Sequence, residues 1–123
     1  MGTPEYAAVI LRALLQAPNI EVVGVCTQPD KVRGRRADKT PSPVKRALPP
    51  DFAGVLLQPT HLRDDTFAQS LRALAPQCII VAAYGKILPQ ELLDIAPSYN
   101  LHASLLPRYR GAAPINWAII NGD

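Results

Sequence analysis

Two short runs of almost continuously apolar, β-branched residues constrain this chain most: Val22-Val23-Gly24-Val25-Cys26 and Cys78-Ile79-Ile80-Val81. Neither shows the apolar and polar alternation of a half-solvated sheet, so both read as strands covered on two faces, the situation of a parallel sheet. Helix signals lie around them. Thr3-Pro4-Glu5 reads as a hydroxyl N-cap, a proline at the first helical position and an acid in the first turn, and predicts a helix to about Gln16. Ala17-Pro18-Asn19 breaks it, and Ile20 to Thr27 reads as the first buried strand. Pro41-Ser42-Pro43 opens a short helix to about Leu48, closed by Pro49-Pro50, and Val55 to Gln58 reads as a short strand. Asp64 or Asp65 caps a helix through Leu74, with Phe67, Leu71 and Leu74 at helical spacing. Cys78 to Ala83 is a second buried strand, Pro89 to Ile95 a helical turn or two, Tyr99 to Ala103 a strand, and Ala113 to Ile120 a final helix.

Strands separated by helices imply βαβ units, hence an α/β, Rossmann-like parallel sheet with helices on both faces. Ligands of such sheets bind beyond the carboxyl ends of the strands. Three such ends are Thr27-Gln28, Tyr84-Gly85 and His102 to Ser104. In an extended strand Asn100, His102 and Ser104 look the same way, because side chains at i, i+2 and i+4 share a face. An amide donor, a titratable imidazole and a hydroxyl gathered there suit acyl or formyl transfer to an amine, which needs an oxyanion held and a proton moved. On spacing alone, a strand end whose Asn and His cap a turn reads equally well. Gly2, Gly24 and Gly34 form no G-x-G-x-x-G after a strand, which argues against a dinucleotide-dependent oxidoreductase.

The 123 residues have room for one small domain, and 48% apolar content supplies a core. No window holds the roughly eighteen uninterrupted apolar residues of a membrane helix, and the first residues lack a basic flank followed by an apolar signal segment. A soluble, cytoplasmic protein is the expectation. Cys26 and Cys78 sit inside the apolar runs, without a Cys or His at ligand spacing, so both read as buried small hydrophobes, with no disulfide and no metal implied. Charge is unevenly placed. Of the net +3, all lies between Asp30 and Lys39, where Lys31, Arg33, Arg35, Arg36 and Lys39 meet Asp30 and Asp38. That segment has almost no apolar residues and predicts a mobile projecting loop, either merely solvated or set against a polyanion through counterion release. His61 reads as a surface turn residue, and Trp117, with Ile119 and Ile120, as helix packing.

The string Asn100 to Asp123, N-L-H-A-S-L-L-P-R-Y-R-G-A-A-P-I-N-W-A-I-I-N-G-D, resembles the catalytic segment of the folate-dependent formyltransferases. Gly2-Thr3-Pro4-Glu5-Tyr6-Ala7, Thr27-Gln28-Pro29-Asp30, Pro41-Ser42-Pro43-Val44-Lys45 and Ala83-Tyr84-Gly85-Lys86-Ile87-Leu88-Pro89 resemble, in the same order, the branch of that family that formylates a charged initiator tRNA. The resemblance covers essentially the whole chain and implies 10-formyltetrahydrofolate as formyl donor and initiator methionyl-tRNA as acceptor, with a monomer as the full-length state. It implies that Asn100 donates to the oxyanion and that His102 polarises or transfers a proton at the same centre. Ser104, Leu105, Leu106 and Pro107 match the part of the signature that lines the folate pocket, with Ile87 and Leu88 supplying an apolar wall; for these leucines and Ile87, core packing is the other reading. Arg108, Arg110 and Gly111 form a basic turn that suits either the folate's glutamate tail or nucleic acid. Lys31, Arg33, Arg35, Arg36 and Lys39 are implied tRNA contacts, with Arg35 where an important loop arginine is expected.

Family members carry an apolar strand ahead of the Thr3 helix, an aspartate partner for the Asn and His beyond the position of Asp123, and a further tRNA-holding domain. The expectation is therefore residues 1–123 of a catalytic domain truncated at both ends, marginally stable and inactive alone. Two other readings remain: a related formyltransferase acting on a nucleotide or nucleotide-sugar amine, and a non-catalytic RNA-binding fragment. The long basic insertion after Asp30 favours tRNA.

Overall fold

Hydrogen bonding of the first two residues sets the arrangement of the strands. In the computed structural model, which describes residues 1–35 and 38–123 but not the Arg33 side chain, the elements run α1 (Glu5–Gln16), β1 (Gly24–Cys26), β2 (Lys31–Arg33), β3 (Asp38–Thr40), α2 (Pro43–Arg46), β4 (Val55–Leu57), α3 (Asp65–Ala73), β5 (Ile79–Val81), α4 (Gln90–Leu93), β6 (Ser98–Asn100) and α5 (Pro114–Ile120). β1 pairs in parallel with β4, and β5 in parallel with β6. Met1 and Gly2 join the two pairs. The Gly2 N–H donates to the Cys26 carbonyl at 2.9 Å, Ala82 N–H donates to the Met1 carbonyl at 2.9 Å, and Gly2 bridges Ala82 in parallel sense. Gly2 is forced at this junction, since a Cβ there would stand 2.5 Å from the Ala7 Cβ and 2.7 Å from the Ala82 carbonyl oxygen.

Adjacent residues of β1 point to different apolar clusters. Val25 joins Ala7, Ala8 and Leu11 of α1 and Val44 of α2, whereas Cys26 joins Phe67, Ala68 and Leu71 of α3, Ile79, Tyr84 and Leu92 of α4. This is the alternation a strand imposes when both faces are covered. A cavity of about 240 Å³ lies between Val22 to Val25 on one side and Cys78 to Ile80 on the other, with Met1, Leu11 and Leu74 among its walls.

Several expectations need correction. The strand predicted over Ile20 to Thr27 is ordered as a ladder only over Gly24–Cys26, and that predicted over Cys78 to Ala83 only over Ile79–Val81. Thr3 does not cap α1: Pro4 holds the cap position, and the Thr3 hydroxyl donates to the Tyr84 carbonyl instead. Of the two acids offered as a cap, Asp64 takes the position and accepts from the Thr66 N–H, and Ser42, within the Pro41 to Pro43 helix start, caps α2 by accepting from the Lys45 N–H. The basic segment is a hairpin rather than an unstructured loop, with Lys31 opposite Thr40, Val32 opposite Lys39 and Arg33 opposite Asp38. Gly34 serves its turn at φ +73°, a conformation that glycine adopts without steric cost. Trp117 is 53% exposed and α5 buries none of its residues, so the helix packing assigned to Trp117, Ile119 and Ile120 is absent among the described residues. No helix is long and apolar enough to cross a membrane among those residues.

The two cysteines part company. Cys26 is buried and donates to the Tyr84 hydroxyl at 3.3 Å, but Cys78, expected inside, is exposed just before β5. Burial pushes the Cys26 thiol up from its usual range, which keeps it protonated and unreactive. A chromogenic disulfide reagent at mildly alkaline pH is therefore expected to titrate one thiol, Cys78, in the folded chain and the second only after denaturation. Two rapidly reacting thiols would contradict the Cys26 environment.

Candidate active site and basic hairpin

The carboxyl ends of β1 and β5 are tied together through one carbonyl. The Tyr84 main-chain oxygen accepts from the Thr3 hydroxyl at 2.9 Å and from the Gln28 side-chain amide at 3.0 Å. Gly85 follows at φ +85°, and a Cβ on it would stand 2.4 Å from the Gln28 amide nitrogen, so side-chain bulk and left-handed backbone both select glycine there. The Tyr84 ring points inward and is almost wholly buried against Cys26. Burial pushes its phenol well above the ordinary tyrosine range, so it stays neutral. Lys86 completes the loop's anchorage, its ammonium donating to the Thr60 carbonyl at 2.6 Å and the Pro59 carbonyl at 3.3 Å.

From Gln28 a polar chain continues to the root of the hairpin. The Gln58 amide donates to the Gln28 carbonyl at 3.2 Å and to Asp30 Oδ1 at 2.8 Å, and Lys45 Nζ donates to Asp30 Oδ2 at 2.7 Å. Beside it the buried Thr27 and Ser42 hydroxyls bond at 2.6 Å. Asp30 is thus clamped between α2 and the end of β4 immediately before β2 begins. Its carboxyl lies below its ordinary range, chiefly because Lys45 and then Gln58 donate to the ionised form. Beyond the clamp Lys31, Arg35 and Lys39 are exposed. The backbone of Arg33 lies in β2, while Arg36 falls outside the described residues.

The polar segment after β6 differs from the expected strand. Pairing ends at Asn100, opposite Val81, with one further bond from the Leu101 N–H to the Val81 carbonyl at 2.8 Å. Strand alternation therefore does not align Asn100 with His102 and Ser104, which lie in the following bend. A local network brings two of the three together. His102 Nδ1 lies 2.9 Å from the Ser104 hydroxyl, His102 Nε2 lies 3.2 Å from the Gly111 carbonyl, and the Ser104 hydroxyl donates to the Arg108 carbonyl at 2.7 Å. Asn100 is exposed at the strand end, and its side chain joins no such network among the described residues. The basic turn folds on itself: Arg108 stacks over the Tyr109 ring, 5.3 Å from its centroid, and both Arg108 and the Tyr109 hydroxyl engage the Asp123 carboxylate. Arg110 remains exposed.

The apolar residues assigned to a folate pocket divide. Leu105 is 88% exposed, Leu106 58% and Ile87 94%, so none of the three is a core residue. Leu88 packs against the Phe67 and Leu92 cluster. Ile87 borders an open groove of about 480 Å³ with His61, Arg63 and Lys86, in which the Ser104 to Pro107 segment takes no part. Gln28, expected only at a strand end, and Gly111, expected only in the basic turn, each bond to another site segment, Gln28 to Tyr84 and Gly111 to His102. The one signal for Gly111 was its glycine identity in a basic turn, which here supplies φ +96°.

These features belong to a class that comparison with known proteins identifies. The family model described as formyl transferase matches residues 1–123, and the chain belongs to that family. Its relatives include methionyl-tRNA formyltransferases of Wolinella succinogenes, 54% identical over all of this chain and 41% of that protein, Desulforamulus reducens, 52% identical over 39% of that protein, and Nitratiruptor, 52% identical over 40%. The chain thus spans about two fifths of the length of the relatives it matches.

The Asp30 clamp gives a pH signature. A carboxyl depressed below its ordinary 3.8 contributes stability that is present above that value and lost as pH falls through the lowered one. Asp30→Asn is expected to be less stable than the parent at neutral pH in urea unfolding, with the gap closing as acid protonates Asp30 below its ordinary range. A gap that persists in acid would place the effect elsewhere.

Proposed function

We propose that this chain is part of the catalytic domain of a cytoplasmic enzyme that transfers the formyl group of 10-formyltetrahydrofolate to the amino group of methionyl initiator tRNA. The observation that carries the reading is similarity over the whole of this chain, at 54% identity, to two fifths of a protein named methionyl-tRNA formyltransferase. Two features support it: an imidazole and a carboxamide at and just after the end of β6, and a clamped basic hairpin that follows the carboxyl end of β1. Parallel strand pairs with α1 and α2 on one apolar cluster and α3 and α4 on the other support a Rossmann-like sheet, whose ligands gather at those ends.

Formyl transfer requires the amine to attack the formyl carbonyl, so that negative charge builds on the carbonyl oxygen while the nitrogen loses a proton. Asn100, exposed and unencumbered at the end of β6, donates its amide to that oxygen. His102 works at the same centre, its ring held at both nitrogens so that its plane is set before substrate arrives. Leu105, Leu106 and Pro107, which follow Ser104, offer one apolar face to the flat pterin and Ile87, on a separate groove, another, with Leu88 anchoring the Ile87 loop to the core. Lys31, Arg33, Arg35, Arg36 and Lys39 meet tRNA, where lysines neutralise phosphates and an arginine fork can also reach a base edge.

In the formylation-competent full-length enzyme, Asn100→Ala is expected to lower kcat by about a hundredfold or more, the usual consequence of losing one oxyanion donor. Near-normal turnover would remove Asn100 from this role. Arg35→Ala is expected to raise the KM for tRNA more than Lys39→Ala does, with the KM for folate unchanged in both. Equal effects would reduce the hairpin to a non-specific electrostatic surface, and folate binding without turnover in the parent protein would sink the enzymatic reading.

A further inference from the structure

The hydrogen-bond partners around His102 constrain where its ring protons lie. The Arg108 and Gly111 carbonyls can only accept, so the Ser104 hydroxyl donates to the first and His102 Nε2–H donates to the second. With the Ser104 proton directed at Arg108, its oxygen accepts from Nδ1–H at 2.9 Å. All three bonds form together only when both ring nitrogens carry protons. A neutral ring with its proton on Nδ1 would set the bare Nε2 lone pair against the Gly111 oxygen at 3.2 Å. A neutral ring with its proton on Nε2 keeps the Gly111 bond, provided the Ser104 hydroxyl turns its proton from Arg108 to Nδ1. The Arg108 carbonyl thus released belongs to an exposed residue and is met by water, so this second arrangement loses less.

We infer that Ser104 is a positioning residue for His102: its hydroxyl, turning between the Arg108 carbonyl and Nδ1, anchors the ring in both charge states against the Gly111 carbonyl, which keeps a proton on Nε2. When Nδ1 is protonated the Ser104 hydroxyl rotates back to Arg108; no proton leaves the serine. Nε2 faces the exposed side, toward Gly111, where a Cβ would meet nothing within 4 Å. A substrate carbonyl that replaces the Gly111 oxygen meets a hydrogen-bond donor whatever the ring's charge, which makes His102 a polarising group at Nε2. This consequence rests on the proposed formyl transfer, but the tautomer does not.

Long-range nitrogen–proton NMR of the labelled 123-residue chain, at alkaline pH where imidazoles are neutral, reads the tautomer directly. The chain has two histidines, and the exposed His61 serves as an internal reference. His102 is expected in one form, protonated at Nε2, while His61 shows the mixture of a free imidazole. Ser104→Ala removes the Nδ1 anchor that holds the ring against the Gly111 carbonyl and should move His102 toward the mixture seen at His61, whereas Ser104→Thr should keep the single form. A parent His102 protonated at Nδ1, or mixed like His61, overturns the inference even if no variant folds. So does a folded Ser104→Ala chain whose His102 signals are unchanged. In the full-length enzyme, Ser104→Ala should lower kcat about tenfold or more without raising the folate KM, with recovery in Ser104→Thr. A raised folate KM at unchanged kcat would instead put the hydroxyl on the donor. Absence of formyl transfer by the parent enzyme would end the functional reading and leave the tautomer result standing.

Discussion

The Tyr84 carbonyl oxygen is the point on which the rest of the structure depends. It lies where β5 ends, and it receives the Thr3 hydroxyl from the start of the chain and the Gln28 amide from the end of β1. Each of those two donors leads on to something else. Through Thr3, α1 is held against the junction where Met1 and Gly2 knit the two parallel strand pairs together. Through Gln28, the contact reaches Gln58, Asp30 and Lys45, and so the root of the basic hairpin. A carbonyl with two lone pairs can satisfy two donors at once, and here that capacity joins three segments far apart in sequence.

The hairpin shows how a highly charged segment is kept in one place without a core of its own. Lys31, Arg35 and Lys39 gain nothing from burial, and like charges held near one another repel. Order comes instead from its ends. Asp30 is fixed before β2, Thr40 leads into Pro41 and the Ser42-capped α2, and both ends meet at Lys45. The partly buried Lys45–Asp30 ion pair sits at the base of the hairpin.

Local signals in the sequence were read well where local physics decides. Ser42 and Asp64 cap helices because a short polar side chain can reach an N–H two or three residues on, whatever the surroundings. The same rule misled at Thr3, whose hydroxyl found a carbonyl 81 residues away, a partner no neighbouring residue announces. Cys78 was read as buried from its company of isoleucines and valine, yet it stands outside the ladder that begins at Ile79. The Asn100, His102 and Ser104 alternation presupposed a strand through Ala103. Pairing stops at Asn100 because the chain after Leu101 bends to close its polar bonds onto Arg108 and Gly111.

By itself the sequence determined the kind of fold and offered the candidates for chemistry: β-branched apolar runs between helix-start signals, a concentrated positive segment, and an amide, an imidazole and a hydroxyl within five residues. These follow from composition and period, which need no knowledge of distant partners. Tertiary structure alone decided which groups touch. It set His102 between a serine and a glycine carbonyl, left Asn100 at an open strand end, turned a basic loop into a clamped hairpin and put Ile87 in solvent. Hydrogen bonds are short and directional, so their partners are chosen by where the packed backbone brings a donor within about 3 Å of an acceptor, and spacing along the chain carries no record of that.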